Sequence, residues 1–266
     1  MALGSGPAQI TPSGGAPPPQ LSIVLVTYNE RSNLPELFDR LGGTALPSWE
    51  AIVVDDGSTD GTRAYLTDRA ASDRRLRILL HDGKQTTVRA QCQGILAARG
   101  SWITVMDADL QHPPELLPRL VQPLQDGAAL TVASRYVSGG SPGERSALRG
   151  LLSRAADAVA RAILPDARRI TDPVSGFFAF RRDVFGPRDP GYRGYKLLLF
   201  LLVMTRDRPV AEVPFRFEPR TAGASKVVGG LGFVRVFLTE VLMAKRVELA
   251  RRRQARPLVV PRESES

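Results

Sequence analysis

The chain has 266 residues, 43% of them apolar, enough to bury a core as one large domain or two small ones. Lys and Arg number 36 against 27 Asp and Glu, a formal charge of +9, which suits an anionic partner: a phosphate-bearing substrate, an anionic lipid surface or nucleic acid. No run reaches the roughly 18–20 apolar residues of a membrane span, the first residues lack the charged-then-apolar pattern of a secretory signal, and the single cysteine, Cys92, excludes an internal disulfide and fits a reducing compartment.

Residues 1–20 are mostly Gly, Pro, Ser and Ala without charge, a composition that cannot offset the entropy of ordering and predicts a disordered tail. From Leu21 onward, apolar runs alternate with stretches of helical spacing. Strands are expected at 21–27, 51–55, 77–80, 102–106 and 129–134, and helices at about 31–41, 60–71, 86–98 and 114–125. Asp60 is the expected N-cap of the second helix and Gly100 the stop after the third. Strand runs that are apolar on both faces, spaced by single helices, predict an α/β fold with a mostly parallel sheet sandwiched by helices.

Beyond Tyr136 the pattern changes. A Gly/Pro/Ser loop (137–144) leads into a long Arg/Ala/Leu helix (145–164), and short strands at 176–181 and 210–217 flank an apolar helix at 195–205. These read as a continuation of one domain over 21–230. Residues 231–255 mix apolar residues with Arg and then turn polybasic, predicting an amphipathic helix suited to a membrane interface, and 256–266 read as a frayed tail.

Three polar motifs end three of the expected strands. Thr27-Tyr28-Asn29-Glu30 stands where a dinucleotide-binding fold would carry Gly-x-Gly-x-x-Gly, so a nicotinamide or flavin enzyme is disfavoured. Its ring, amide and carboxylate suit a nucleoside, and equally suit a capped helix entry. Asp55-Asp56-Gly57-Ser58-Thr59-Asp60 places adjacent carboxylates on a Gly-bearing turn, where a base N–H, a ribose hydroxyl or a cation would relieve their repulsion; a solvated turn is the alternative. Asp107-Ala108-Asp109-Leu110-Gln111-His112 sets two carboxylates at the carboxyl end of a buried strand, where α/β sheets bind ligands. Hard oxygens there suit a divalent cation that keeps water and phosphate in its shell, with Gln111 a possible third donor. A calcium loop of the EF-hand type is excluded, because His112 and Pro118 occupy its glycine and glutamate positions. An aspartyl phosphatase also uses Asp-x-Asp after a strand, but near the chain start.

VTYNE, VDDGSTDGT and MDADLQHPPE, in this order, resemble the GT-A glycosyltransferases that use nucleotide-sugars, and within them the dolichol- and polyprenol-phosphate mannose synthases. The resemblance extends through Ser134-Arg135-Tyr136, Arg149, Asp172-Pro173-x-Ser175-Gly176-Phe177-Phe178, Gly194-Tyr195-Lys196 and Arg220-x-x-Gly223-x-Ser225-Lys226, and so covers about 21–230. It implies that Thr27, Tyr28, Glu30, Asp55 or Asp56, and Asp107 hold the nucleotide, and that Asp107, Asp109 and Gln111 hold Mg²⁺ or Mn²⁺ on the diphosphate. Arg135, Arg149, Arg220 and Lys226 would hold the acceptor phosphate, with Asp109, Arg135, Arg220 and Lys226 carrying catalysis. The implied reaction is inverting transfer of a hexose, foremost mannose from GDP-mannose, to a polyprenyl or dolichyl monophosphate. It would take place on the cytoplasmic face of a membrane, reached through the C-terminal helix or a membrane partner subunit.

Three positions depart from that pattern. Val26 replaces a common Pro, and Gly83–Ala90 lacks the Gly-Leu-Gly-x-Ala of mannose synthases and looks closer to glucosyl-type enzymes, which keeps UDP-glucose open as donor. Phe200 stands where the family usually has Glu. A transferase with a non-lipid acceptor and an inactive or nucleic-acid-binding basic scaffold are the competing readings. Against nucleic acid, the basic residues are not interleaved with aromatics, which make up only 6% of the chain.

Overall fold

The computed structural model describes residues 8–10, 17–143, 147–187, 189–192, 196–218 and 231–254. In chain order these form β1 (Ala8–Ile10), β2 (Leu21–Thr27), α1 (Leu34–Gly43), β3 (Trp49–Asp55), α2 (Thr62–Ser72), β4 (Leu76–Leu80), α3 (Thr87–Ala97) and β5 (Trp102–Asp107). A single 3-10 turn (Pro114–Leu116) then opens α4 (Leu117–Gln125), followed by β6 (Leu130–Ser134), α5 (Ala147–Ile163), β7 (Phe178–Arg181), α6 (Leu197–Met204), β8 (Val210–Pro214) and α7 (Leu231–Gln254).

The eight strands lie in the order β1-β4-β3-β2-β5-β7-β6-β8. The four central strands, β4-β3-β2-β5, are all parallel, and β7 enters antiparallel between β5 and β6. Alternation along β2 sends Leu21, Ile23 and Leu25 to the face covered by α1, α2 and α4, and Val24 to the face covered by α3, α5, α6 and α7. With both faces buried, the strands are continuous apolar runs. That is why the expected limits of β2 to β7 agree with the observed ones to within two residues, whereas β8 stops at Pro214, three residues short of its expected end.

Several expectations are corrected. Ala8–Ile10, inside the stretch read as a disordered tail, pairs antiparallel with β4, Gln9 opposite Leu79; the remaining tail residues before 17 lie outside the described residues. The second helix starts one residue later than its expected cap: Gly61, at φ 89°, is the N-cap, and Asp60 Oδ1 accepts from Thr62 N at 3.0 Å. The third helix ends at an extended Ala98, not at Gly100. Gly100 serves packing instead, since a Cβ there would lie 2.7 Å from Ser22 N.

The helix expected at a membrane interface packs on the domain. Phe237, Val241 and Ala244 of α7 join the core formed with α5 and α6, and Glu248 is buried against Arg206 and Lys245. The outward ridge carries Leu238, Leu242 and Leu249, which are 38%, 54% and 47% exposed. The apolar helix α6 is core, buried from Leu197 to Val203. No helix among the described residues is long and apolar enough to cross a membrane.

Candidate active site

Strand register gathers the motifs on one edge of the sheet. Thr27 pairs with Asp55 and Val26 with Asp107, so β2, β3 and β5 end level at the point where the strand order reverses. That is the crevice where open α/β sheets bind ligands. Because β7 runs antiparallel to β5, the segment 172–177 that precedes it comes to the same edge, as do Arg135 after β6 and 215–218 after β8.

At the β2–β3 end the two motifs are sewn together by main-chain contacts. Asn29, at φ 55°, donates its N–H to Ser58 Oγ at 2.8 Å and accepts Thr59 N–H on Oδ1 at 2.8 Å; Glu30 N donates to Thr62 Oγ1 at 3.1 Å. Asp55 is fully buried, and its Oδ1 accepts from Ser58 N at 3.1 Å and Arg63 Nε at 2.9 Å while Thr27 Oγ1 lies 3.5 Å from Oδ2. Thr27 and Asp55, expected to hold nucleoside, thus also contact the framework of the turn. Asp56 engages Gln85 N at 2.8 Å and His81 Nδ1 at 3.0 Å, both through Oδ1. The ring of Tyr28 carries Lys84 Nζ 4.3 Å from its centroid.

The acidic loop is built around one strained residue. Leu110 is buried and sits at φ 63°, a left-handed conformation that costs a side-chain-bearing residue about 1–2 kcal/mol. Asp109 is buried, and its Oδ1 accepts from Gln111 N at 3.2 Å. His112 is buried against Phe177, Phe215 and Phe217, and its Nδ1 accepts from Asp107 N at 3.0 Å. Burial pushes the His112 imidazole below its ordinary value, so near neutrality it is uncharged, with its proton on Nε2. It props the loop and is not solvated. Gly176 lies beside this site, where a Cβ would make ordinary van der Waals contact with His112 Cε1 at 3.4 Å and Asp107 Oδ2 at 3.7 Å.

Gln111 is held by the segment after β8. Its Nε2 donates to Glu218 O at 3.3 Å, and its own carbonyl accepts from Glu218 N at 3.2 Å. With the amide nitrogen engaged there, Oε1 is the side-chain atom left without a described hydrogen bond to Glu218. Two carboxylates and an amide oxygen are hard donors that fit Mg²⁺ or Mn²⁺. Among the described residues no group of three or more His, Cys, Asp or Glu has metal-binding geometry, so such an ion would take the rest of its shell from water and phosphate.

Next to the acidic loop lies a buried cationic cluster. Arg135 forks onto Asp172, with Nε to Oδ2 and Nη2 to Oδ1 both at 2.7 Å, and its backbone N also donates to Oδ2 at 3.1 Å. Lys196 Nζ donates to Val174 O at 3.1 Å, and burial together with the Arg135 charge pulls its pKa down. Asp157 of α5 faces the same cluster, and its Oδ1 is buried without a hydrogen-bond partner among the described residues. Burial and the nearby Asp172 carboxylate push Asp157 up to about 7. A carboxyl raised in the folded state contributes stability below its unfolded value and loses it as pH rises through the folded value. Asp157→Asn should therefore raise Tm by an amount that grows from about pH 4 to pH 7 and is flat above, as thermal melts across that range would show. A gain independent of pH would sink the assignment.

Of the expected site residues, the fold brings Tyr28, Glu30, Asp56, Asp107, Asp109, Gln111 and Arg135 to this edge. Arg149 lies on α5 with its side chain undescribed, and Arg220 and Lys226 lie outside the described residues. Asp172, Lys196, His112 and Asp157 were not expected as site residues, although the first three stand inside the motifs. Phe200 is buried, with ring contacts to Phe185 (6.1 Å) and Tyr192 (5.6 Å).

The chain is similar to known proteins in sequence and in fold. Residues 22–187 match the family described as "Glycosyl transferase family 2". The chain is 38% identical over 211 residues to a dolichol-phosphate mannosyltransferase of Pyrococcus furiosus, covering 79% of this chain and 60% of that protein. It is 34% identical over 223 residues to the dolichol-phosphate mannosyltransferase of Saccharomyces cerevisiae, covering 79% and 82%. It is 34% identical over 236 residues to the polyprenol monophosphomannose synthase of Mycolicibacterium smegmatis, covering 85% and 86%. The chain thus spans less than two thirds of the archaeal protein but most of the other two. In fold it is similar to glucosyl-3-phosphoglycerate synthase from Mycobacterium tuberculosis, solved with Mn²⁺, UDP-glucose and phosphoglyceric acid, with a TM-score of 0.63, 21% identity and 87% and 80% of the two chains covered.

Proposed function

The chain belongs to glycosyl transferase family 2, and from that premise we propose that it transfers mannose from GDP-mannose to a polyprenyl or dolichyl monophosphate, inverting the anomeric carbon. The observation that carries this reading is the convergence of VTYNE, Asp56, the acidic loop and the Arg135–Asp172–Lys196 cluster on one sheet edge, in a chain 34–38% identical to mannosyltransferases with lipid-phosphate acceptors.

The acceptor phosphate is an anion near neutrality and is its own nucleophile, so the residues need to supply position and charge more than a base. Tyr28 stacks on the nucleoside and Asp56 accepts from its N–H or hydroxyl groups. Asp107, Asp109 and Gln111 would hold a divalent cation, which would supply Lewis-acid neutralisation of the departing diphosphate. Arg135, with Nε and Nη2 committed to Asp172, turns its remaining edge to the acceptor phosphate, joined by Arg149, Lys196, Arg220 and Lys226. These cations offset the repulsion between the two phosphorylated substrates.

The lipid acceptor is met at the cytoplasmic face of a membrane. The Leu238, Leu242 and Leu249 ridge of α7, beside Lys245 and Arg246, supplies an apolar and basic surface for anionic headgroups. Leu242→Asp with Leu249→Asp should weaken sedimentation with anionic vesicles about tenfold and leave donor binding in solution unchanged, each buried leucine side chain being worth roughly 1.5–3 kcal/mol at most. Equal vesicle binding by the double variant would remove α7 from this role.

The deciding experiment incubates the protein with Mn²⁺ or Mg²⁺, a short polyprenyl phosphate and radiolabelled GDP-mannose or UDP-glucose, then extracts lipid-linked sugar. Metal-dependent lipid product from GDP-mannose is expected. Product from UDP-glucose alone would favour the glucosyl reading that the Gly83–Ala90 stretch keeps open. Tight donor binding without lipid product would move the acceptor to another class.

A further inference from the structure

Arg40 lies on α1, outside every motif that pointed to the site. Its guanidinium forks onto Glu115, with Nε to Oε1 at 2.9 Å and Nη2 to Oε2 at 2.8 Å. The same group reaches Glu218 Oε2 from Nη1 at 3.4 Å and Nη2 at 3.5 Å, and Glu36 Oε1 from Nη1 at 3.5 Å. Glu115 sits in the 3-10 turn that follows the acidic loop, four residues after Gln111. Glu218 is the residue that grips Gln111 through both main-chain groups.

Gln111 is thus bracketed by two residues whose carboxylates converge on one guanidinium. Without that charge the two carboxylates would repel, and Glu218, whose neighbour Phe217 is held through its N–H by Ser141 O at 3.0 Å, would lose its side-chain tie to α1. The network adds little to stability: Glu115 and Glu218 are 56% and 39% exposed, and ion pairs at such positions contribute about 0–1 kcal/mol. Its value is geometric. A planar fork fixes two carboxylates in direction, which a lysine's point charge does not.

We propose that Arg40 is a positioning residue for the cation–diphosphate site, holding Glu115 and Glu218 so that Gln111 keeps the two bonds to the Glu218 main chain that fix its side-chain amide. This rests on the reading of Asp107, Asp109 and Gln111 as the cation site. Outer contacts that orient a ligand typically change metal affinity by about 10- to 100-fold.

The test is Mn²⁺ binding by the full chain without donor, read from the free-ion signal in electron paramagnetic resonance, alongside Tm and the KM for donor and acceptor. Arg40→Ala should weaken Mn²⁺ binding by about 10- to 100-fold and raise the donor KM, with Tm within a few degrees of the parent. Arg40→Lys should restore only a small part of that affinity, and Glu36→Gln, which removes a carboxylate that touches neither Gln111 nor Glu218, should bind Mn²⁺ as the parent does. Parent-like Mn²⁺ affinity in Arg40→Ala would overturn the proposal and leave the cation site standing. Full rescue by lysine would also overturn it, because charge and not fork geometry would then suffice. Parent binding that stays absent when GDP is added, or that is indifferent to Asp109→Asn, would remove the cation site and the role of Arg40 with it.

Discussion

Asp109→Asn should lower kcat by about 10³-fold or more while leaving the fold intact. The side chain is buried, and Oδ1 accepts from Gln111 N at 3.2 Å. Asparagine retains an oxygen in that position, so the loop keeps its hydrogen bond and loses only the charge. A carboxylate on a metal–diphosphate centre supports several kcal/mol of charge stabilisation in the transition state, and each 1.36 kcal/mol is a factor of ten in rate. Asp107→Asn should cost less, because the Asp107 side chain is 49% exposed and water can replace it as a ligand. Rates of lipid-linked product formation at saturating Mn²⁺, with Tm as the control for folding, would check the order. A kcat within tenfold of the parent for Asp109→Asn would remove Asp109 from the centre.

What was legible in the sequence depends on where the determining contacts lie. Leu21–Thr27 and Trp102–Asp107 are buried on both faces by neighbouring strands and helices, and an unbroken apolar run ending in polar residues records that directly. The place of the acidic motif, at the carboxyl end of such a strand, was legible for the same reason. The partners of Asp55 and Asp157 were not. Asp55 accepts from Arg63, the second residue of the next helix, and the motif alone cannot distinguish that from a nucleoside contact. Asp157 sits in an Ala/Arg helix where an isolated Asp reads as solvated, and only the fold turns it toward Asp172. Ala8–Ile10 escaped because an edge strand is held by main-chain hydrogen bonds, to which side-chain composition is nearly blind. For α7, alternating Leu and Arg suited a membrane surface, whereas Phe237, Val241 and Ala244 turn inward to the core and leave only one ridge outside.

Asp172→Asn should be the most destabilising substitution at the site and should also impair transfer. The carboxylate is fully buried and takes three N–H bonds from Arg135, two of them at 2.7 Å. Removing one partner of such a pair leaves a buried charge uncompensated and costs about 3–5 kcal/mol, or roughly 10 °C in Tm for a domain of this size. Arg135→Ala should destabilise to a similar extent, since Asp172 would then be the orphan. The double variant Arg135→Met, Asp172→Leu separates structure from function. Replacing a buried ion pair by apolar groups of similar volume is often neutral for stability, so Tm should recover most of what either single variant loses. Transfer should not recover, because the methionine offers no charge to the acceptor phosphate and Lys196, held at Val174 O, is left as the nearest described cation in the cluster. The acceptor KM should then rise by at least tenfold while the donor KM stays near that of the parent. Recovery of transfer together with Tm would reduce the pair to a structural tie, and the acceptor phosphate would have to be met elsewhere on this edge.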